Sequence, residues 1–265
     1  MTTATEGRIE VRRDSRGVAT VVIDNAARLN ALGSALLTEF AHALARLGED
    51  QDLRAVVVTG AGERAFIGGA DIREMGEIDG PDAARAFITG VHRACAAVRA
   101  CPVPVIARIQ GYCFGAGLEL AAACDVRIAS EMAELGMPEV RLGIPSVVEA
   151  ALLPTLIGWG RTRRLLLTGE TIDAEAALAW GLVEEVAPAA EMDAAVEACV
   201  ADILACGPAA IRAQKSLIAA WETLPLGDAI AAGIEAFADA YRTDEPKRMM
   251  TQFLAARTAR KSPAA

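Results

Sequence analysis

The stretch Gln110 to Asp125, Gln-Gly-Tyr-Cys-Phe-Gly-Ala-Gly-Leu-Glu-Leu-Ala-Ala-Ala-Cys-Asp, constrains this chain more than any other. It follows Val103 to Ile109, an apolar run with the length of a buried strand, passes through Gly111, Gly115 and Gly117, and enters a helix at Leu118 to Ala123. Glycines there let the backbone approach a ligand closely. The unpaired amides of a helix's first turn, backed by the helix dipole, can hold a negative oxygen. Glu119 follows two or three residues behind those amides. Taken alone, the stretch fits either an ordinary helix start or an active site.

A second passage repeats the plan. Ala55 to Thr59 reads as a short buried strand, and Gly60-Ala-Gly-Glu-Arg-Ala-Phe-Ile-Gly-Gly-Ala-Asp-Ile leads from it toward a helix. Two such units imply parallel strands joined by crossovers, with ligands at the carboxyl ends of the strands. Before them, Ile9 to Arg12 and Val18 to Ile23 read as a hairpin. Ser34 is placed to cap a helix with Leu36, Leu37, Phe40, Leu44 and Leu47 on one face. A helix from about Asp82 ends at Ala100, before Cys101-Pro-Val-Pro.

Beyond the central stretch come a strand at Val126 to Ala129 and an irregular passage, Leu135 to Ile144, that carries Glu139 between two prolines. Helices are expected at Val147 to Ile157, Arg163 to Leu167 and Ala174 to Trp180, and a strand at Leu182 to Val186. From Glu191 the pattern is helix after helix, broken at Gly207-Pro208, Pro225 and Pro246. The expected division is a site-bearing core at residues 1–195 and a helical subdomain at 196–265.

Composition narrows the partners. Hydrophobic residues make up 53% of the chain and aromatics 4%, so the core must be built from Ala, Val, Leu and Ile. A net charge of −9 disfavours nucleic acid and anionic membrane surfaces. No apolar run reaches the ~18 residues that span a bilayer. Met1 to Glu10 lacks the apolar core of a signal peptide, so a cytoplasmic chain beginning near Met1 is expected. Cys95, Cys101, Cys113, Cys124, Cys199 and Cys206 form no Cys-x-x-Cys pair and read as free thiols. At the basic end Lys247, Arg248, Arg257, Arg260 and Lys261 face Glu245 alone, which fits a local anion site or a solvated helix end.

The residue inventory excludes several chemistries. Both histidines, His42 and His92, fall in expected helices away from the glycine turns, and no Gly-x-Ser-x-Gly elbow occurs. Ser-His hydrolysis and a histidine-rich metal site are therefore disfavoured. Neither glycine turn spells a dinucleotide or nucleotide phosphate loop. What remains is a hole of two converging amides with Glu119 and Glu139 beside it. Two carboxylates around one water can supply both halves of a proton transfer.

Three motifs together, Phe66-Ile-Gly-Gly-Ala-Asp-Ile-Arg-Glu-Met75, Gly111 to Leu120 with Cys124-Asp125, and Met137-Pro-Glu-Val-Arg-Leu-Gly-Ile-Pro145, resemble the enoyl-CoA hydratase/isomerase (crotonase) superfamily. The resemblance runs from about Ile9 to the C-terminus. It implies an α/β fold, a crotonase-like spiral of ββα units in two sheets with a C-terminal helical trimerisation region, assembled as a homotrimer or dimer of trimers. The residues alone would suggest an ordinary parallel sheet.

Carried over residue by residue, the resemblance puts the oxyanion-hole amides on Ala70 and Ala116 and the two hydratase glutamates on Glu119 and Glu139. Arg28, Ala31, Asp71, Ile72 and Gly117 match positions that line the acyl-CoA channel, and Lys261 matches, loosely, a tail cation that meets CoA. The implied reaction is hydration of a trans-2-enoyl-CoA with no metal and no cofactor beyond the substrate's own CoA. Isomerisation, a specialised dehydration or retro-aldol cleavage remain alternatives on one scaffold, and a non-catalytic acyl-CoA or RNA-binding relative is a further one.

The sequence departs from the family pattern in two places. Ala116 stands where glycine is frequent. Ser146-Val-Val-Glu-Ala-Ala-Leu-Leu-Pro154 replaces a glycine-rich segment and adds Glu149. These residues fit either the apolar start of a helix or a reshaped site whose extra carboxylate raises the pKa of Glu139 by like-charge repulsion.

Overall fold

The computed structural model describes residues 7–261, with side chains to residue 257. The expected chain start at Met1 and the side chain of Lys261 lie outside the described residues. Close contacts divide the chain into two units that meet between Val200 and Ala201.

In the first unit, β1 (Arg8–Arg13) and β2 (Val18–Asp24) form an antiparallel hairpin. Helix α1 (Ser34–Gly48) buries Leu36, Leu37, Phe40, Ala43 and Leu44. Ser34 is not its cap. It is the first helical residue after Gly33, and its backbone N–H is held by Glu74 Oε2 at 2.9 Å. The carboxylate reaches in from another element, so local sequence could not indicate it.

Each glycine-turn unit then adds two strands, where one had been expected. β3 (Ala55–Gly60) is followed by β4 (Ala65–Ile67), then helices α2 (Ile72–Gly76) and α3 (Gly80–Ala100). β5 (Val105–Ile109) is followed by β6 (Tyr112–Phe114) and helix α4 (Ala116–Ala123). β7 (Val126–Ser130) is followed by β8 (Glu134–Gly136). The longer strands, with the short β10 (Glu185–Ala187) at the edge, join a six-stranded sheet of order β1-β2-β3-β5-β7-β10, parallel except for the hairpin. β4, β6 and β8 join a four-stranded sheet with β9 (Thr171–Asp173), in the order β4-β6-β8-β9.

The single parallel sheet suggested by residue pattern is thus corrected to two sheets, visited alternately by a ββα spiral. Every residue of β3 is buried, which explains its unbroken apolar run. Strands as short as three residues, such as β4, β6 and β8, carry too few positions for any alternation to show.

After β8 come two 3₁₀ turns, Glu139–Leu142 and Val148–Leu152, and helix α5 (Leu153–Thr168). The two helices expected at Val147 to Ile157 and Arg163 to Leu167 are replaced by this 3₁₀ turn and one helix, broken only at Gly158, where φ is 75°. The unexpected β9 (Thr171–Asp173) precedes α6 (Ala174–Trp180) and β10 (Glu185–Ala187). Helix α7 (Met192–Leu204) carries the division between the units, and the expected boundary at residues 195 and 196 lies in the same helix.

The second unit contains α8 (Pro208–Trp221), α9 (Leu226–Ala240) and α10 (Glu245–Lys261). Glu245, nearly buried, caps α8 by accepting the N–H groups of Ala209 at 3.1 Å and Ala210 at 2.9 Å. Trp221 Nε1 donates to the Ala229 carbonyl at 3.1 Å and ties α8 to α9. Within this unit Ile230, Ile234, Phe237, Phe253 and Leu254 are exposed. Among the described residues of the whole chain, no helix is long and apolar enough to cross a membrane.

Candidate active site

The site is built where the spiral's turns leave the four-stranded sheet. After β4 the chain crosses Gly68 and Gly69, and it is pinned by three backbone hydrogen bonds: Gly68 N–H to Leu29 O (2.8 Å), Leu32 N–H to Gly69 O (2.9 Å) and Asp71 N–H to Leu32 O (2.9 Å). Ala70 lies between two of these bonds, and its own N–H takes no part in them. Gly69 has φ 123°, a conformation open to glycine.

The second turn follows β6. Gly115 has φ 51° and ψ −120°, and its carbonyl accepts the Glu119 N–H at 2.9 Å as α4 begins. Ala116 is the first helical residue, so its N–H has no partner within the helix. Among the described residues, neither the Ala70 N–H nor the Ala116 N–H donates to a backbone carbonyl. The two turns adjoin. A Cβ on Gly117 would collide with the carbonyl of Ile67, and one on Gly69 would lie 3.4 Å from the carbonyl of Phe114. Close approach at Gly117 therefore brings the start of α4 onto the end of β4 and sets the two amide-bearing turns side by side.

Both glutamates meet this feature. Glu139, half-buried in the first 3₁₀ turn, places Oε1 against Gly115, where a Cβ would stand 2.5 Å away. Its Oε2 accepts the Ser146 hydroxyl at 2.7 Å. Glu119, only 4% exposed, points from α4 into the same region. Burial pushes its carboxyl from 4.5 up to about 8, and the neighbouring charges of Glu139 and, less strongly, Glu149 act in the same direction. Hydrogen bonds from the backbone N–H groups of Ala150 and Val147 oppose the shift.

Glu149 is 7% exposed, and its Oε1 lies 2.8 Å from His92 Nδ1. One expectation is corrected here and one finding is added. The charge of Glu149 bears on Glu119, since α4 packs against the 3₁₀ turn that carries Glu149. His92 is not remote from the site, because α3 passes beside that same turn. The only local hint was its place on α3, three residues before the buried Cys95.

The other expected residues spread outward. Asp71 caps α2 by accepting the Arg73 N–H at 2.9 Å, and it pairs with Arg28 at 3.2 Å. Ala31 is half-buried, with its carbonyl held by Asn25 Nδ2 at 2.9 Å. Ile72 is 63% exposed. Ser146 and His92 are the site neighbours that sequence reasoning did not single out for a role. Among the described residues no group of three or more His, Cys, Asp or Glu is arranged to hold a metal ion.

The chain is similar to known proteins over most of its length. A family model for enoyl-CoA hydratase/isomerase matches residues 13–261. A short-chain-enoyl-CoA hydratase of Clostridium acetobutylicum is 35% identical over 238 residues, 89% of this chain and 91% of the relative. A crotonyl-CoA hydratase of Syntrophomonas wolfei is 33% identical over 243 residues, 91% of this chain and 93% of the relative. The crystal structure of an enoyl-CoA hydratase from Bacillus anthracis superposes with a TM-score of 0.89 at 32% identity, covering 94% of this chain and 96% of that one.

Proposed function

The chain belongs to the enoyl-CoA hydratase/isomerase family, and on that footing we propose that it is an enoyl-CoA hydratase, adding water across the 2,3 double bond of a trans-2-enoyl-CoA to give a 3-hydroxyacyl-CoA. The observation that carries this reading is the meeting of two carboxylates, Glu119 and Glu139, with two adjoining turns whose Ala70 and Ala116 N–H groups stay unengaged by the backbone.

The thioester carbonyl accepts from both N–H groups, which draws electron density from C3 and stabilises the enolate-like transition state. One such donor is worth ~3 kcal/mol. Glu119 holds the water and takes its proton as the oxygen attacks C3. Glu139, oriented by Ser146, delivers a proton to C2. The same steps reversed dehydrate a 3-hydroxyacyl-CoA.

Arg28, steadied by Asp71, meets a CoA phosphate. Ala31, Ile72 and Gly117 line the channel, and Lys261 supplies a tail cation. The Ala116 methyl, on the residue that offers the second amide, narrows the acyl end. CoA, as part of the substrate, is the only coenzyme in this scheme. The apolar residues exposed on the second unit favour burial against other copies as a homotrimer or dimer of trimers, and a cytoplasmic location is part of the same proposal.

The test follows the enoyl-thioester absorbance of crotonyl-CoA with the parent and with Glu119→Gln and Glu139→Gln. Hydration by the parent and a loss of ~100-fold or more in each variant is the expected result. A parent inactive on short, long and aromatic enoyl-CoAs, although it binds CoA esters, would mean that another enolate reaction is the right one.

A further inference from the structure

The hydration scheme leaves a proton problem. Each turnover ends with Glu119 protonated and Glu139 ionised, the reverse of what the next one needs. Glu139 is half-buried and close to solvent, whereas Glu119 is buried.

The segment that wraps Glu119 also carries Glu149. Backbone N–H groups on either side of it, from Val147 and Ala150, bond to the Glu119 carboxylate. Val148, between them, is held at φ 39°, an unfavourable conformation for a β-branched residue. Glu149 is buried, its Oε2 has no hydrogen-bond partner among the described residues, and its Oε1 is 2.8 Å from His92 Nδ1. A buried carboxylate oxygen without a partner is costly and calls for a role. The His92 side chain is 55% exposed, so the pair runs from the buried site to the surface.

We propose that Glu149 and His92 form a proton exit through which buried Glu119 is reset between turnovers. The proposal rests on the hydratase reading. The water oxygen bonds to C3 as its proton passes to Glu119, and Glu139 gives its proton to C2. Glu119 then passes a proton to Oε2 of Glu149, which hands one from its carboxyl group to His92 Nδ1. The resulting imidazolium releases a proton from Nε2 to solvent, and the ring re-equilibrates with water. Glu139 recovers a proton from water, so one proton leaves and one enters per cycle. Neither Glu149 nor His92 touches the reacting atoms, and both act through Glu119.

The groups facing Glu149 are His92 and Cys95 from α3 and Glu119 from α4. Burial, then the charges of Glu149 and Glu119, hold the Cys95 thiol well above its ordinary range. It stays protonated and does not compete as an acceptor.

The test compares kcat and KM of His92→Gln and Glu149→Gln on crotonyl-CoA as imidazole is raised at constant ionic strength. His92→Gln is expected to lose about tenfold in kcat at unchanged KM, less than the ~100-fold typical of a general acid or base itself. Imidazole restores it by replacing the missing ring. Glu149→Gln loses as much and is not restored, because its break lies inside the protein. A His92→Gln enzyme with parental kcat, or with a loss that imidazole leaves unchanged, overturns the exit.

A second readout needs no turnover. The chain has two histidines, so one His42→Gln variant assigns the ¹⁵N signals of His92. In the parent those shifts should carry a step near pH 8, where Glu119 titrates, and Glu149→Gln should abolish it. A parent without the step, or a step that survives Glu149→Gln, defeats the exit whatever the substrate is. Inactivity of the parent on enoyl-CoAs defeats the hydratase reading alone.

Discussion

Replacing Glu119 by glutamine keeps the shape of the side chain and removes its proton equilibrium. In the folded protein, burial and then the charge of Glu139 raise the carboxyl from 4.5 to about 8, against the pull of the Ala150 and Val147 N–H groups. Folded Glu119 therefore keeps its proton at pH values where the unfolded chain has lost it. Its contribution to stability is complete below about 4.5 and is lost progressively as pH rises to about 8. At ~1.4 kcal/mol per pH unit, that interval amounts to a loss on the order of 5 kcal/mol.

The glutamine side chain of the variant carries no such dependence. Urea unfolding of the parent and of Glu119→Gln, at one protein concentration so that any assembly is held constant, should show the variant gaining several kcal/mol on the parent between pH 5 and pH 8.5. Titrating groups remote from Glu119 cancel in the difference. A gap that does not change with pH refutes the raised carboxyl. A gap that moves in the parent's favour would mean that the two backbone hydrogen bonds outweigh burial.

Two further outcomes follow from the same geometry. The free enzyme holds Glu119 mostly protonated below about 8 and ionised above it, and the scheme needs Glu119 ionised together with Glu139 protonated, so kcat/KM should bend near pH 8; a flat profile from pH 6 to 9 removes Glu119 as the base. Gly115→Ala forces a side chain into φ 51° and sets a methyl 2.5 Å from Glu139 Oε1. Its steady-state turnover should fall by ~100-fold or more, the scale of a lost oxyanion-hole donor or general acid. Gly181→Ala, at φ 79° and ψ 21° with its nearest neighbour 3.5 Å away, gives the cost of an alanine in the left-handed helical region, a lower bound on the strain at Gly115. Parental activity in Gly115→Ala would show that Glu139 does not lie against this turn.

Local pattern in the sequence was enough for the elements long enough to show a period. The β1–β2 hairpin, α1, the run into α4 and the helices after Glu191 were legible because side-chain spacing records which face is buried. So were the two glycine turns, since a backbone that must bend back or press against another segment admits only glycine, as at Gly115 and Gly117.

Tertiary structure alone decided the rest. The three-residue strands β4, β6 and β8 exist because a neighbouring strand offers hydrogen bonds, and they turn one expected sheet into two. The Ser34 helix start is held by Glu74, a residue forty positions away. Glu119 and Glu139 were visible as candidates, but burial and mutual charge set the proton affinity of Glu119, and both depend on what folds around them. His92 lies in a different helix from either glutamate and 57 residues before Glu149. Spacing along a chain records which face of a segment is buried, but only packing determines which distant segment lies against it.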